Sequence, residues 1–516
     1  MPSRNPAVLI AAFGLACVDP APAAPSASRA TAAQPPSQRL SYSDLDILQV
    51  TSDSQADFLG RDLAVGDFNN DGDADFAVSA WSDDDGGSEA GAMWVVYGPV
   101  SADFALGDRS TDAKRSGLNV WGMDASGWSM ASGDLDGDGH PEVISGCRAC
   151  ETAAAYANNG QGVVVAWDGD QTLSDGDWDA WAADWFAAGT SGTTMKFGAE
   201  VAVGDGDGDS ANGNELAIGI SMDNSAGTYR GEVRVLDTDT KSTLVAYHGD
   251  VNHLQIGETF DFYGDGASGD RLVIGARLRK SGSARRVGAA FFMDPLADAS
   301  SCTSSDCEVG TDGYEASGEA YGDEAGYRVA ALGDLDGDGV DEVMVSAPYN
   351  DDGSRNGGAV YIVPGDVTAD FTLSDTTTLK LVSSESADRI GMAIAAGPDF
   401  DGDGLPELLI GAPKATDTNT RSTTGVMCVV SSAELDTATG GTWLGEVDIL
   451  DSSLTTVCVA GKNKWGNFGT ALATADLDDD GVDDVVVGAD QDSEAGWNAG
   501  AVYVVSGQSI IDEAGW

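Results

Sequence analysis

The chain is poor in basic residues. It has 26 Lys and Arg against 85 Asp and Glu in 516 residues, which gives a formal net charge of −59 at pH 7. A surface of this sign repels nucleic acid and anionic lipid headgroups, so neither is expected as a direct partner. Hydrophobic residues still make up 42% of the chain, which is enough to fill a core, so the acidity does not imply disorder.

Histidine and the common catalytic motifs are scarce as well. Only His140, His248 and His253 occur, and the first lies inside an acidic loop. There is no Gly-x-Ser-x-Gly elbow, no Walker loop and no HExxH motif. Carboxylates are too numerous for a glycosidase-like acid pair to be recognised by spacing. We therefore predict that the chain is not an enzyme, and we assign no catalytic residues.

Long apolar runs are also missing. No segment beyond the N-terminus reaches the roughly 18 apolar residues of a transmembrane helix. The N-terminus itself predicts an export signal, because Arg4 precedes the short apolar stretch Ala7–Ala16. That stretch ends at Cys17, in a sequence similar to a bacterial lipobox.

These features predict a signal peptide over 1–17 and a lipid on Cys17. Cleavage after Ala23 is the alternative, and it would give a freely secreted protein. Residues 18–40 are rich in Ala, Pro and Ser, which predicts a mobile tether. The expected location is the bacterial outer membrane or cell surface, or the medium. Any membrane contact would be through the lipid alone.

Cysteine is sparse, with seven residues in the chain. Besides Cys17 they form three neighbouring pairs, and pairing within each would close short loops in an oxidising compartment. The predicted disulfides join Cys147 to Cys150, Cys302 to Cys307 and Cys428 to Cys458. A redox CxxC or half a zinc site is the alternative for the first pair. The sequence alone leaves the connectivity open.

One pattern of strands and acidic loops recurs after residue 40. In its clearest copy an apolar strand leads into the loop Asp334–Glu342, then a second strand, Val343–Pro348, and a third strand opened by Gly358. The apolar runs are short, rich in Val and Ile, and bounded by Gly and Asp. This composition is typical of strands rather than helices.

The repeat occurs seven times. Its acidic loops begin, at intervals of 67, 71, 129, 65 and 77 residues, at Asp67, Asp134, Asp205, Asp334, Asp399 and Asp476. The long interval holds a degenerate unit, opened by Ile256-Gly257 and continued by Leu272–Ala276. Seven units of about 70 residues, each with about four strands, predict an all-β, seven-bladed β-propeller over 41–516. Leu45–Val50 is predicted to complete the last blade and close the ring.

Each regular loop reads Asp-x-Asp/Asn-x-Asp-Gly/Ser and ends in a further carboxylate before the second strand. Calcium takes 6–8 oxygen ligands, which alternate side chains of a tight turn can supply. An EF-hand is excluded, because its twelfth position requires Glu. The residues at that position are Val78, Ser145, Val345, Ile410 and Val487.

We predict about six Ca²⁺ sites. In loop one the ligands are Asp67, Asn69, Asp71 and Asp75, with the carbonyl of Asp73. The other regular loops use Asp134, Asp136, Asp138 and Glu142 with the His140 carbonyl; Asp334, Asp336, Asp338 and Glu342 with Val340; Asp399, Asp401, Asp403 and Glu407 with Leu405; and Asp476, Asp478, Asp480 and Asp484 with Val482. A stretched loop three uses Asp205, Asp207, Asp209 and Glu215.

Loop four is not expected to bind calcium. It keeps Asp265, but Tyr263, Ala267 and Arg271 stand where the other ligands would fall. Arg271 either replaces the charge of the ion or is an ordinary surface residue. Asp/Gly-rich turns also form without a metal, but the common spacing of the other loops favours the metal interpretation.

The loops, together with Phe197-Gly198, Phe468-Gly469 and Gly411-Ala412-Pro413, resemble the FG-GAP repeats of integrin α-subunit propellers. The resemblance covers residues 41–508. It implies structural ions in the hairpin between the first two strands of a blade, and ligand binding on the opposite face. Integrins carry the loop in only a few blades, and exported bacterial proteins with such repeats are the nearer likeness.

The tryptophans of an insert are the candidate ligand-binding residues: Trp178, Trp181 and Trp185. They could stack on sugars or anchor a protein, whereas an outer strand or a short helix is the structural alternative. Two functions stay open. The first is a monomeric surface binding or adhesion module with a protein or glycan ligand and, because of its negative charge, no nucleic-acid partner. The second is a polysaccharide-active lyase or hydrolase on a propeller scaffold.

Overall fold

The computed structural model describes residues 39–516, apart from position 53 and the segments 85–90, 107–112, 117–126, 151–161, 168–184, 190–194, 210–212, 267–268, 283–284, 303–305, 376–377 and 418–421. The chain divides into two compact units, Met1–Pro35 and Pro36–Trp516, and every described residue belongs to the second. The predicted signal peptide, Cys17, Trp178 and Trp181 lie outside the described residues.

Seven four- or five-stranded sheets form the blades of a β-propeller, as predicted. From the centre outward, blade 1 has Leu59–Gly66, Asp75–Ala80, Ala92–Val96 and Ala113–Ser116; blade 2 has Ser129–Gly133, Glu142–Cys147, Val163–Trp167 and Trp185–Ala188; blade 3 has Phe197–Gly204, Glu215–Ile220, Glu232–Asp237, Ser242–His248 and Asp306–Glu308. Blade 4, the degenerate unit, has Phe260–Tyr263, Arg271–Gly275, Ala289–Met293, Tyr314–Ser317 and Phe371–Thr372.

The last three blades follow the same order. Blade 5 has Val329–Gly333, Glu342–Ala347, Ala359–Val363, Leu379–Val382 and Gly445–Asp448; blade 6 has Ala393–Ala396, Leu408–Ala412, Val426–Val430, Thr456–Ala460 and Arg39–Leu40; blade 7 has Leu472–Ala475, Asp484–Ala489, Ala501–Val505, Ile47–Thr51 and Phe104–Ala105. Two short hairpins, Lys280–Ser281 with Arg285–Arg286 and Thr416–Asp417 with Ser422–Thr423, lie outside the blades.

Helices in the described residues are short, and all but the last lie between strands. They are a 3₁₀ turn at Tyr42–Asp44 and α-helices at Pro295–Ser301, Val309–Asp312, Ser432–Thr439 and Gly507–Ala514. None of them is long and apolar enough to cross a membrane.

The second strand of a blade explains why the repeat is rich in Val, Ile and small residues. In blade 5, every residue of Glu342–Ala347 is buried. A strand packed on both faces cannot alternate apolar and polar side chains, and β-branched residues suit such a pleated, buried surface. The same full burial holds for the second strands of blades 1, 2, 3, 6 and 7.

The Phe-Gly motif and the Gly-led third strand meet at the contact between neighbouring blades. Phe468 of blade 7 forms a parallel bridge with Gly425, which opens the third strand of blade 6. Leu59 of blade 1 bridges Gly500 of blade 7 in the same way. The next residue, Gly60, has φ +87°, and a Cβ there would collide with the carbonyl oxygen of Ala501. Glycine at this position therefore allows the blades to approach closely.

The ring is closed by a strand from the start of the propeller. Ile47–Thr51 pairs antiparallel with Ala501–Val505 and supplies the fourth strand of blade 7, so the predicted closure is confirmed. Arg39–Leu40, placed in the tether by the sequence, pairs with Cys458 and Val459 at the edge of blade 6.

A fifth, parallel strand covers the outer edge of five blades, and the sequence did not predict it. In blade 7 this strand is Phe104–Ala105, and in blade 4 it is Phe371–Thr372. Both stand in nearly identical pentapeptides, Ala-Asp-Phe-Ala-Leu and Ala-Asp-Phe-Thr-Leu. The Asp accepts a hydrogen bond from a fourth-strand amide, at 2.8 Å for Asp103 and 3.0 Å for Asp370. The pairing hides an edge that another chain would otherwise be free to join.

All three predicted disulfides are present. Cys428 and Cys458 face each other in neighbouring strands of blade 6, with their Cα atoms 4.0 Å apart. The pairs Cys147–Cys150 and Cys302–Cys307 close loops next to strands of blades 2 and 3. The bond between Cys147 and Cys150 leaves no free thiolate in this pair to hold zinc.

Candidate metal centres and the opposite face

Six acidic hairpins lie on one face of the propeller. Each joins the first strand of a blade to the second, in blades 1, 2, 3, 5, 6 and 7. In blade 6, Asp399 accepts hydrogen bonds from the amides of Gly402 at 2.7 Å and Gly404 at 2.8 Å. Asp134 and Asp334 make the same pair of contacts in blades 2 and 5. The opening Asp thus curls the loop around its own carboxylate.

The alternate side chains continue this curl. Asp136 accepts from the amide of Asp138 at 3.1 Å, and Asp138 accepts from the amide of His140 at 2.9 Å. In the other regular loops, the residue whose carbonyl is a predicted ligand likewise donates its amide N–H to the Asp two positions before it. These residues are Asp73, Val340, Leu405 and Val482. Coordination by these carbonyls stays a prediction.

Oxygen atoms of the loops come together as a metal site requires. Ligand atoms of Asp134, Asp136 and Asp138 all lie within 4.8 Å of one another, and the same holds for Asp334, Asp336 and Glu342. The stretched loop three forms such a cluster too, from Asp205, Asp207 and Glu215. These sets offer only oxygen, the ligand type of hard cations such as Ca²⁺.

The last carboxylate of each loop is buried at the start of the second strand. Glu407 is fully buried, and its Oε2 accepts from the amide of Phe400 at 2.6 Å. The equivalent contact is made in the other five loops by Asp75, Glu142, Glu215, Glu342 and Asp484. Oε1 of Glu407 has no hydrogen-bond partner among the described residues.

Electrostatics also favour a cation in these loops. Burial, together with the neighbouring charges of Asp401, Asp399 and Asp403, raises the pKa of Glu407 to about 8. Burial likewise raises the pKa of Glu342 to about 7. Grouping carboxylates at this distance is unfavourable unless a positive charge joins them. The residues present therefore fit a divalent cation.

Loop four differs in the way the sequence indicated. Nε of Arg271 lies 3.7 Å from Oδ2 of Asp265, and its Nη1 donates to the carbonyl of Gly365 at 3.2 Å. The guanidinium is partly buried, with 28% of the side chain exposed. Of the two alternatives, this position beside Asp265 favours the one in which Arg271 supplies a positive charge to the loop.

The tryptophan insert is only partly described. Trp185 opens the outer strand of blade 2 and pairs with Ala166. This favours the outer-strand alternative at Trp185 over a short helix.

The opposite face carries a mouth that the sequence did not predict. It is a cavity of about 270 Å³ lined by Arg61, Asp62, Trp128, Arg148, Ala199, Glu200, Ser221, Glu258, Arg277, Tyr327, Arg328 and Tyr349. Most of these residues stand just after the Gly that opens a first strand or just after a second strand. The acidic hairpins occupy the other ends of the same strands, so the mouth and the candidate metal sites lie on opposite faces.

A channel of about 420 Å³ between the first strands shares Asp62, Glu200 and Arg328 with the mouth. Arg328 Nη1 lies 3.4 Å from Oε2 of Glu200 within it. Asp261 accepts from the amide of Ala331 at 3.0 Å, and Asp62 accepts from the amide of Met130 at 2.9 Å. Burial raises the pKa of Glu200 to about 8, and the Arg328 charge opposes that rise.

Comparison with known proteins agrees with this architecture. A family model described as FG-GAP repeat matches residues 325–363, 390–425 and 468–505, which lie in blades 5, 6 and 7. The chain carries FG-GAP repeats. Each matched segment contains an acidic hairpin, and each begins with an apolar residue followed by Gly: Ala325-Gly326, Ile390-Gly391 and Phe468-Gly469.

Curated relatives share parts of the chain. Integrin alpha pat-2 of Caenorhabditis elegans is 31% identical over 192 residues, 36% of this chain and 14% of the relative. Integrin alpha-5 of Xenopus laevis is 37% identical over 97 residues, 18% and 9% of the two chains. Phosphatidylinositol-glycan-specific phospholipase D of Rattus norvegicus is 32% identical over 166 residues, 31% and 18%. The chain thus spans less than a fifth of the length of these relatives.

Among solved structures, one described as the crystal structure of BBS1N in complex with ARL6DN, soaked with lead, aligns with a TM-score of 0.46 and 10% identity. The alignment covers 90% of this chain and 97% of the other.

Proposed function

We propose that this FG-GAP propeller is an exported binding or adhesion module whose ring is stabilised by calcium in the acidic hairpins. The observation that carries the metal part is the repeated geometry of these loops. In the five regular loops an opening Asp accepts from a Gly amide and curls the hairpin. In these loops and in the stretched loop three, a buried final carboxylate accepts from a loop amide. The five regular loops support five Ca²⁺ sites, and the cluster of Asp205, Asp207 and Glu215 supports a sixth.

A structural role for the ions follows from the position of the loops. Each hairpin fixes the turn between two strands that pack against neighbouring blades, and no catalytic group is assigned beside it. Extracellular calcium modules bind with Kd values of about 10⁻⁴–10⁻³ M. At ten times Kd each site would add about 1.4 kcal/mol of stability. Six weak sites could together decide whether the ring is folded.

Thermal unfolding of the full chain tests the metal proposal. The midpoint should fall when calcium is replaced by a chelator, and magnesium should restore it less well, because its small ion demands octahedral geometry. An unchanged midpoint would overturn the structural role of calcium.

The binding role is supported by the integrin α relatives and by the concave mouth opposite the loops. A panel of surface-bound glycans and peptides, incubated with the full chain, would test it against the polysaccharide-active alternative. Binding that leaves the ligand intact supports the module, whereas cleaved sugar products would support the enzyme.

Export and anchoring are part of the same proposal. A lipid on Cys17 would place the protein in the membrane fraction of the cell that exports it, and Cys17→Ser would release it. A wild-type protein that is found only in the medium would favour the secreted form.

A further inference from the structure

The basic residues of this acidic chain are unevenly distributed. The mouth opposite the hairpins is lined by four arginines and by the acidic residues Asp62, Glu200 and Glu258, and one of the arginines, Arg328, pairs with Glu200. Six other basic residues, all half-buried, line the mouth or lie near its lining: Arg61, Arg148, Lys196, Arg277, Arg389 and Lys414. Acidic residues outnumber basic residues by 85 to 26 in this chain. A cluster of cations is therefore the unexpected feature of this face.

Five of the six have no ion pair among the described residues. Arg277 pairs with Glu258 at 3.0 Å and with Glu324 at 3.4 Å. The salt bridges of the described chain include none to Arg61, Arg148, Lys196, Arg389 or Lys414. Glu258 attracts Arg148 and Lys196, but its ion pair is with Arg277. Half-buried positive charges without an ion pair of their own would be stabilised by an external anion.

Aromatic rings hold two of these cations side by side. The guanidinium of Arg61 lies 4.5 Å from the ring centre of Trp128, and that of Arg148 lies 3.0 Å from the same centre. Arg389 lies 5.0 Å from the ring centre of Tyr349. Cation–π contacts fix a guanidinium without neutralising it. The rings thus position charges whose N–H groups stay available to a ligand.

The cations are also close enough to affect one another. Burial and the charge of Arg61 lower the pKa of Arg148 to about 10, although Glu258 acts in the opposite direction. The pKa of Lys196 is lowered by burial and then by Arg148. An anion placed among these three groups would relieve both the repulsion and the missing counter-charge.

We propose that the mouth binds an acidic peptide segment of a partner protein, with an Asp or Glu carboxylate entering between Arg61, Arg148 and Lys196. A guanidinium matches a carboxylate with two parallel hydrogen bonds. The cavity of about 270 Å³ admits a side chain, but not a folded surface. This inference rests on the proposed binding role and names the chemistry of its ligand.

Direct titration of the full chain tests the inference. The probe is acetyl-Gly-Glu-Glu-Gly-amide, with its Gln-Gln counterpart as the neutral control. The affinity is measured by isothermal titration calorimetry at about 0.15 M salt. At this ionic strength the Debye length is about 8 Å, so repulsion between the peptide and the acidic remainder of the surface is screened. The Glu peptide should bind at least tenfold more tightly than the Gln peptide. Equal affinity, or no binding of either, would overturn the proposal.

Substitutions locate the binding. Arg61→Gln and Arg148→Gln should each weaken binding of the Glu peptide at least tenfold. Arg148→Lys should weaken it less than Arg148→Gln, because the ammonium keeps the charge but not the two parallel hydrogen bonds. Lys241→Gln is the matched control, because this exposed residue stands in the turn between Asp237 and Ser242 on the hairpin face. It should change the affinity less than twofold. Equal losses in the control and the mouth variants would refute the assignment.

Two further experiments distinguish the acidic-peptide inference from an acidic-glycan ligand and from the proposed binding role as a whole. Digalacturonate carries two carboxylates without a peptide, and tighter binding of the sugar would replace the peptide by an acidic glycan. Adhesion of the full chain to a partner surface is measured with and without the Glu peptide. Adhesion that Arg148→Gln leaves intact refutes the inference but not the binding role. Peptide binding without adhesion refutes the binding role alone.

Discussion

Glu407 offers a stringent test of the metal centres, because its carboxylate should stabilise the ring with calcium and destabilise it without. It is fully buried, Oε2 accepts from the amide of Phe400, and Oε1 has no hydrogen-bond partner among the described residues. Glu407→Gln keeps the shape and the acceptor for Phe400, and it removes the charge. With calcium the variant loses a ligand, whereas without calcium it loses a carboxyl group that costs free energy to bury, either because it stays charged or because it must take up a proton.

The size of the effect follows from these contacts. Loss of one site at ten times Kd costs about 1.4 kcal/mol. Relief of a buried carboxylate without full compensation returns about 1–3 kcal/mol. With an unfolding entropy of about 2.1 cal/mol/K per residue, a ring of this size shifts its Tm by about 1 °C per kcal/mol. The Tm should therefore fall by about 1–2 °C in calcium and rise by about 1–3 °C in chelator.

Differential scanning calorimetry of the full chain, in calcium and in chelator, measures both values. Glu385→Gln is the matched control, because this glutamate is exposed in a loop before blade 6. Its effect should be small and should not depend on calcium. If Glu407→Gln shifts the Tm in the same direction in both buffers, the carboxylate is not a calcium ligand and the reasoning fails.

Three further predictions concern the ring and its channel. Val50→Asp places a charge at a fully buried position of the closing strand, so the free energy of unfolding, measured in urea, should fall by at least about 4 kcal/mol. A fall of less than about 1 kcal/mol would argue against closure of the ring by this strand. Gly60→Ala should destabilise the protein by about 2–4 kcal/mol. Gly322→Ala should cost about 1 kcal/mol, because Gly322 also has positive φ but an added Cβ there would meet no atom within 4 Å. Equal costs for the two variants would exclude the close blade contact at Gly60. Burial raises the pKa of Glu200 to about 8 from 4.5, so its contribution to stability is full below about pH 4.5 and is lost as the pH rises to about 8. Glu200→Gln should therefore reduce the fall in unfolding free energy over this pH range. An unfolding free energy with the same pH dependence in the variant and the wild type would contradict the raised pKa.

The blades were predictable because each repeat carries its own local signals. Short Val/Ile runs predict strands, and the Asp-Gly loops mark the turn between the first two. The closing strand was found because Leu45–Val50 resembles the segment before another unit. The fifth strands were missed because two residues are too few for a periodic pattern. The one sequence signal for two of them is the similar pentapeptide, beginning Ala-Asp-Phe, that contains Phe104 and Phe371.

The mouth was missed for a different reason. Its residues come from different blades and are far apart in sequence, so no local motif contains them. Aligning the repeats on their opening glycines would have placed Arg61, Trp128 and Tyr327 at one position. Aligning the ends of the second strands would have added Arg148 and Arg277. The sequence therefore contains the equivalent positions in each repeat, but their side chains form a cluster only when the closed ring brings the blades together.

Whether calcium is structural or regulatory can be decided from the separation of the two faces. In blade 5, six residues lead from Arg328 at the mouth to Asp334 in the hairpin, which is about 20 Å of extended strand. This distance exceeds the Debye length of about 8 Å at physiological salt. A strand packed between blades has no second arrangement that could carry a signal along it. Well below the Tm, affinity of the mouth for the Glu peptide should therefore differ less than twofold between calcium and chelator. A tenfold difference, measured by calorimetry while the ring stays folded by circular dichroism, would show that the hairpins regulate the mouth.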